Sequence, residues 1–140
     1  MTQSVHYVHL RAGTEPPQQA WSAPFRAVVI AEGEVSPEWR TKVSAWLVNS
    51  GCLYMSAWGT DCSAWDTSVD IANIEACGYG EIPEDKFVMT TWHENESLAE
   101  AFWFAKNNAH HPTLNLQNTV LVHVAHSERR NELLASFTEA

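Results

Sequence analysis

From Phe25 onward the apolar positions switch repeatedly between two periods. Ala27-Val28-Val29-Ile30-Ala31 is an unbroken apolar run rich in β-branched residues, which predicts a strand buried on both faces. Ser36-Pro37-Glu38 follows. Ser36 suits the cap of a helix, Pro37 its first turn and Glu38 the positive end of its dipole. Trp39, Val43, Trp46 and Leu47 then form one stripe at helical spacing, and Gly51 is a natural stop. A second strand is predicted over 52–58 and a second helix over about 63–76, with Trp65, Val69, Ala72 and Ala76 on one face. A third strand is predicted over 86–92. The helix after it runs over 96–107, capped by Asn95 or by a Ser97–Glu100 box. A fourth strand over 119–124 and a last helix over 127–137 complete the pattern.

Regular alternation of strand and helix predicts parallel strands joined by crossovers. The expected fold is α/β: a three-layer sandwich with a mostly parallel, four- to five-stranded sheet, as in Rossmann-like or flavodoxin-like half-folds. Counting from the Ala27–Ala31 strand, the expected strand order is 2-1-3-4. Residues 1–24 read as an N-terminal arm, with a possible short strand at His6–Leu10, and a Pro/Gln-containing loop from Gly13 to Pro24 that includes Gln18-Gln19. Residues 25–140 read as a single domain.

Composition narrows the function classes. The formal charge is −9, with 8 Lys+Arg and no basic run, which disfavours nucleic-acid binding through phosphate neutralisation. No stretch approaches the roughly 18 apolar residues of a membrane span, and the N-terminus has no signal-peptide pattern. Cys52, Cys62 and Cys77 are three in number with no Cys-x-x-Cys pair. That favours a reducing, cytoplasmic setting over a disulfide framework. Seven Trp are core material first and ligand anchors second.

In open parallel sheets, ligands bind beyond the carboxyl ends of the strands. The segments placed there are Glu32-Gly33-Glu34, Gly59-Thr60-Asp61-Cys62, His93-Glu94-Asn95 and His126-Ser127. Asp66 and Asp70 lie four apart on one helix, where like charges repel. With Asp61 they form a candidate Mg²⁺ cluster, or simply a solvated acidic helix start. Cys62, at a predicted helix N-terminus where a thiol pKa falls, is a candidate nucleophile. His93 or His126 would serve as its base, and Glu94 or Asp61 would orient that base. The alternative is a small residue packed in a turn. Zinc held by Cys62, His93 and His126 is chemically allowed, although the ligands are scattered. Trp58, Trp65 and Trp92 are candidate walls for a flat ligand. His123, inside a strand, reads as a hydrogen-bonded core residue. Ser97 replaces the second His of a His-Glu-x-x-His motif, and phosphate-binding glycine loops and a Gly-x-Ser-x-Gly elbow are absent. No cofactor is implied.

Three groups of segments carry a resemblance. They are Val35-Ser36-Pro37-Glu38-Trp39; Gly51-Cys52-Leu53-Tyr54 with Trp58-Gly59, Trp65-Asp66 and Ser68-Val69-Asp70; and Thr90-Thr91-Trp92-His93-Glu94 with Phe102-Trp103-Phe104-Ala105-Lys106. Together they resemble a family of uncharacterised small bacterial proteins, a domain of unknown function, over about residues 25–126. The resemblance implies a bacterial, cytosolic single domain and no activity. The leading expectation is a non-enzymatic protein- or ligand-binding module of regulatory, defence or immunity type. Its partner would be another protein or a second copy, with a small ligand possible. The alternative is a small hydrolase or transferase using Cys62 or the Asp61/Asp66/Asp70 cluster.

Overall fold

The computed structural model describes residues 4–18 and 21–140. The first three residues of the expected arm, and Gln19 and Ala20 of the expected loop, lie outside the described residues. Among the described residues five strands and four α-helices are formed: β1 (Ser4–Leu10), β2 (Phe25–Ala31), α1 (Pro37–Asn49), β3 (Cys52–Gly59), α2 (Cys62–Ala76), β4 (Met89–His93), α3 (Leu98–Asn107), β5 (Asn118–Val124) and α4 (Arg130–Glu139). All sheet pairings are parallel, in the order β1-β5-β2-β3-β4. The α/β fold class expected from the alternation is therefore the observed one.

The expected strand order is corrected. Counted from β2, the four strands read 4-1-2-3, not 2-1-3-4. The chain builds outward through β2, β3 and β4, then returns through α3 to place β5 on the opposite side of β2. Alternation of elements fixes parallelism but carries no information on which side each crossover lands. The N-terminal Ser4–Leu10 segment then adds the outermost strand beside β5 in full register, from Ser4↔Asn118 to Leu10↔Val124.

β2 is buried along its whole length, as its apolar run requires. Ala27, Val29 and Ala31 face the layer of α1 and α2, where Trp39, Val43, Leu47, Trp65 and Val69 pack. Val28 and Ile30 face α3 and α4, where they meet Phe102, Ala105, Leu133 and Phe137. Ser36 caps α1, its side chain accepting from the Trp39 N–H at 3.1 Å. Ser97, rather than Asn95, caps α3, accepting from the Glu100 N–H. Among its described residues the β1–β2 connection has no helix, and it is pinned by tryptophans of α1. Trp39 Nε1 donates to the Thr14 carbonyl at 2.7 Å and Trp46 Nε1 to the Pro17 carbonyl at 3.0 Å.

One glycine fixes the sheet's carboxyl edge. Gly59 has φ +100° and a Cβ there would stand 2.1 Å from the Ala31 carbonyl oxygen. Only glycine lets the end of β3 pass this close to β2. The next residue, Thr60, donates its N–H to that same oxygen at 2.8 Å.

Candidate functional site

The order of strands reverses between β2 and β5: β3 and β4 are laid down on one side of β2, and α3 carries the chain back to β5 on the other. In open α/β sheets this switch point opens a crevice at the carboxyl edge. A polar cleft of about 270 Å³ lies there, lined by Arg11, Glu32, Gly33, Glu34, Ala125 and His126 among others. It collects the residues that follow β1, β2 and β5.

Beneath the cleft runs a polar chain that begins inside the core. Tyr7 of β1 and His123 of β5 both point toward the α3/α4 layer. The Tyr7 hydroxyl and His123 Nδ1 are 2.6 Å apart, and His123 Nε2 is 3.0 Å from Glu32 Oε1. Arg129 also donates to Glu32 Oε1, and its backbone N–H donates to the Tyr7 oxygen at 3.0 Å. Neither donor to Glu32 uses its Oε2. His123 is fully buried.

The protonation pattern follows from these partners. Burial and the hydrogen bonds pull Glu32 in opposite directions; the bonds from Arg129 and His123 win and hold its carboxyl below the usual range. An ionised Glu32 only accepts, so His123 Nε2 carries the proton. Burial lowers the His123 pKa, against the pull of Glu32, so the ring is neutral and Nδ1 is an acceptor. Tyr7 must then donate, and burial raises its pKa, which keeps it protonated. The result is a one-way chain, Tyr7 O–H to His123 to Glu32, closed by Arg129. The neighbouring His9 is bound to the Ala125 carbonyl through Nε2 at 2.7 Å, which steadies the β5 wall of the cleft.

The residues singled out from sequence divide between several places. His126 lines the cleft, with Glu32 and Glu34. Cys62 is buried at the start of α2. Burial, then the charge of Glu94, push its thiol pKa up, which outweighs the backbone donors of His93 and Ser63. That burial opposes the lowering of the thiol pKa expected at a helix start. The His93 imidazole is hydrogen-bonded to Thr91 at 3.0 Å and Glu96 at 3.2 Å and lies tilted against the Phe104 ring, centroids 4.7 Å apart. Glu94 is exposed on the turn beyond β4.

Asp61 precedes α2 in a left-handed conformation (φ 55°) and makes no capping bond. Asp66 is buried and Asp70 accepts from Thr90 at 2.7 Å. Burial first, and the neighbouring Asp70 charge second, raise the Asp66 pKa. Among the described residues no three His, Cys, Asp or Glu side chains converge as a metal-ligand set. Neither the Asp61/Asp66/Asp70 cluster nor Cys62/His93/His126 is assembled as such a set. The three tryptophans of the expected aromatic wall stand in different places. Trp65 is core against Trp39, Trp58 donates to the Glu96 carbonyl on the opposite face of the sheet, and Trp92 is half-exposed on the edge strand.

Sequence reasoning missed Tyr7, His9, Arg11 and Arg129. The signal for the first two was the alternation in Val5-His6-Tyr7-Val8-His9-Leu10, legible as a strand but not as a neighbour of β5. A larger, mostly apolar hollow of about 400 Å³ lies at the sheet's opposite edge, between Pro24, Gly51, Leu53, Ala76 and Val88. Its Asn73 side chain is spent on the backbone of Lys86 and Val88, so the switch-point cleft, with its charged network, is the stronger candidate despite its smaller size.

The model of one protein family, described as a domain of unknown function (DUF7684), matches residues 5–140. The chain belongs to that family. No curated protein and no solved structure matches. Among the described residues no helix is long and apolar enough to cross a membrane.

Proposed function

We propose that this member of a family without an assigned activity is a non-enzymatic binding module. Its switch-point cleft takes a small molecule of amino-acid size that bears both an amine and an acid group. The observation that carries this reading is the Tyr7–His123–Glu32–Arg129 chain under the cleft. It holds an ionised carboxylate rigidly at the position where open α/β sheets bind ligands. Glu34 and Glu32 Oε2 supply anionic acceptors for an amine, and Arg11 supplies a cation for an acid. A volume of about 270 Å³ admits an amino acid and is small for a nucleotide. The carboxylates after β2 also stand where a dinucleotide fold would need glycine N–H groups for a phosphate.

The test is thermal denaturation in the presence of each of the twenty common amino acids, since a ligand that prefers the folded state raises the melting temperature. One or more should stabilise the protein, and its amide-capped and N-acetylated forms should not. Stabilisation by none, or equally by both capped forms, overturns the reading.

A protein-docking role is favoured by a separate observation at the far edge of the sheet. Among the described residues no strand lies on the outer side of β4, and Met89-Thr90-Thr91-Trp92-His93 lacks the Lys, Pro or bulge that commonly blunts an edge. Ile71, Ile74, Phe87 and Trp92 are exposed around it. Residues 62–97 carry eight carboxylates and one lysine, a balance of −7 out of the chain's −9. Two copies would repel there, so the occupant proposed is an extended basic segment of another protein, added as a sixth strand. An alternating Lys–Val peptide should shift the Met89–His93 amides in NMR spectra and a Glu–Val peptide should not. Equal response to both, or concentration-dependent self-association without peptide, counts against it.

A further inference from the structure

Arg26, near the start of β2, is a buried cation without an anion. It is 3% exposed. Its Nε donates to the Ala109 carbonyl at 3.2 Å and one Nη to Thr119 Oγ1 at 3.1 Å. Both acceptors are neutral. Among the described residues, the ion pairs are Lys42–Glu15, His93–Glu96, His123–Glu32, Arg129–Glu32 and Arg129–Glu132, and none involves Arg26. A guanidinium carries five N–H donors, and these two bonds use two of them. Burying such a charge is costly unless it is paired.

The surroundings supply space and polarity but no carboxylate. Arg26 lines a polar hollow of about 280 Å³ under the loop that joins α3 to β5, together with His110, His111, Thr113 and Asn115. His111 shapes this loop. Its Nε2 donates to the Phe87 carbonyl at 2.9 Å, so Nδ1 is the acceptor for the N–H groups of Thr113 and Leu114, both at 3.2 Å. His110 is likewise committed through Nε2 to the Asn107 carbonyl at 2.8 Å. Among the described residues no Asp or Glu lines the hollow.

We infer that this hollow is a binding site for a small oxyanion, with Arg26 as the charged anchor and Asn115 as a neutral partner, the Thr113 hydroxyl being turned to His111 Nδ1 at 3.2 Å. Carboxylate and phosphate groups share the required chemistry, since either meets a guanidinium fork with two oxygens. The site lies at the amino end of β2 and β5, at the opposite end of the same two strands from the switch-point cleft. It stands or falls independently of the function proposed above.

Sodium phosphate and sodium acetate serve as separate probes, each titrated at constant ionic strength against sodium chloride. The readouts are the Arg26 side-chain N–H and the Thr113–Asn115 amides in NMR spectra, with thermal denaturation in parallel. At least one probe should give saturable shifts at these positions and raise the melting temperature above the chloride control. Its affinity should fall about tenfold or more in Arg26→Lys, which keeps the charge and loses the fork. It should fall about fivefold in Asn115→Ala, on the exposed loop. Shifts no larger than in chloride for both probes, or unchanged affinity in Arg26→Lys, overturn the inference. If Arg26→Lys does not fold, unchanged affinity in Asn115→Ala overturns it instead.

Discussion

Replacing Tyr7 by Phe removes a single oxygen from the middle of the buried chain. The ring stays, so packing against α4 is kept. The loss is the donor to His123 Nδ1 at 2.6 Å and the acceptor for the Arg129 N–H at 3.0 Å. His123 is fully buried and has no other donor to its Nδ1 among the described residues, so that nitrogen is left unsatisfied. A buried polar group left without its partner costs about 1–3 kcal/mol. Arg129 is exposed, so water can replace the lost acceptor and little is added there. The expected destabilisation is therefore about 2 kcal/mol, a large share of the roughly 5–15 kcal/mol typical of a domain. For a chain of this size it should lower the melting temperature by about 6–10 °C. Urea unfolding at pH 7.5 measures it. Adding His123→Leu should recover part of the loss, because removing both partners of a buried bond costs less than removing one. A change under about 0.5 kcal/mol with an unchanged denaturant slope would refute the argument that Tyr7 is the obligatory donor.

The same chain sets an acid sensitivity. His123 is held neutral below its ordinary pKa of 6.5 by burial, so the unfolded chain binds more protons than the folded one as pH falls below that value. Stability should drop over this window, and His123→Gln should flatten the drop in urea midpoints measured from pH 7.5 to pH 5. Asp66 has the opposite sign: its pKa is raised above 3.8 by burial and by Asp70, so its stabilising neutral form is lost as pH rises. Asp66→Asn should raise the urea midpoint at pH 7 relative to the parent and leave little difference at pH 3.5; a lower midpoint at pH 7 would contradict this. Among the thiols, Cys77 should react with iodoacetamide well before Cys62, and Cys52 last, since burial hides Cys62 and pushes the Cys52 pKa to about 12; peptide mapping at pH 8 gives the order. Gly59→Ala should destabilise by about 3 kcal/mol or more, or prevent soluble expression, because its Cβ would overlap the Ala31 carbonyl and its φ is left-handed.

Much of this architecture was legible in the chain. The buried run Ala27–Ala31, the Ser36-Pro37 helix start and the Leu98–Phe102–Ala105 stripe are local signals, and local periodicity encodes which faces are buried. Strand order was not legible, because it depends on which side of β2 the last crossover returns. The site shared that fate. Glu32, Glu34 and His126 could be placed at the carboxyl edge from strand ends alone. Tyr7 and Arg129 reach His123 and Glu32 only after β1 docks on β5, a contact across more than a hundred residues that no spacing pattern announces. Cys62 and the Asp66/Asp70 pair attracted attention through helix-terminus arguments that assume solvent access. Burial reversed the expected effect on Cys62 and set the buried Asp66 apart from its exposed neighbour.

The most direct test of the switch-point proposal is an NMR titration of the ¹⁵N-labelled protein with an equimolar mixture of the twenty common amino acids. The account predicts saturable shifts at Arg11, at Glu32 through Val35, and at Ala125 and His126, with the β4 amides unmoved. It also predicts that Glu34→Gln and Arg11→Gln each weaken the response without altering the rest of the spectrum. No saturable shift, or shifts confined to residues away from the carboxyl ends of β2 and β5, would contradict it.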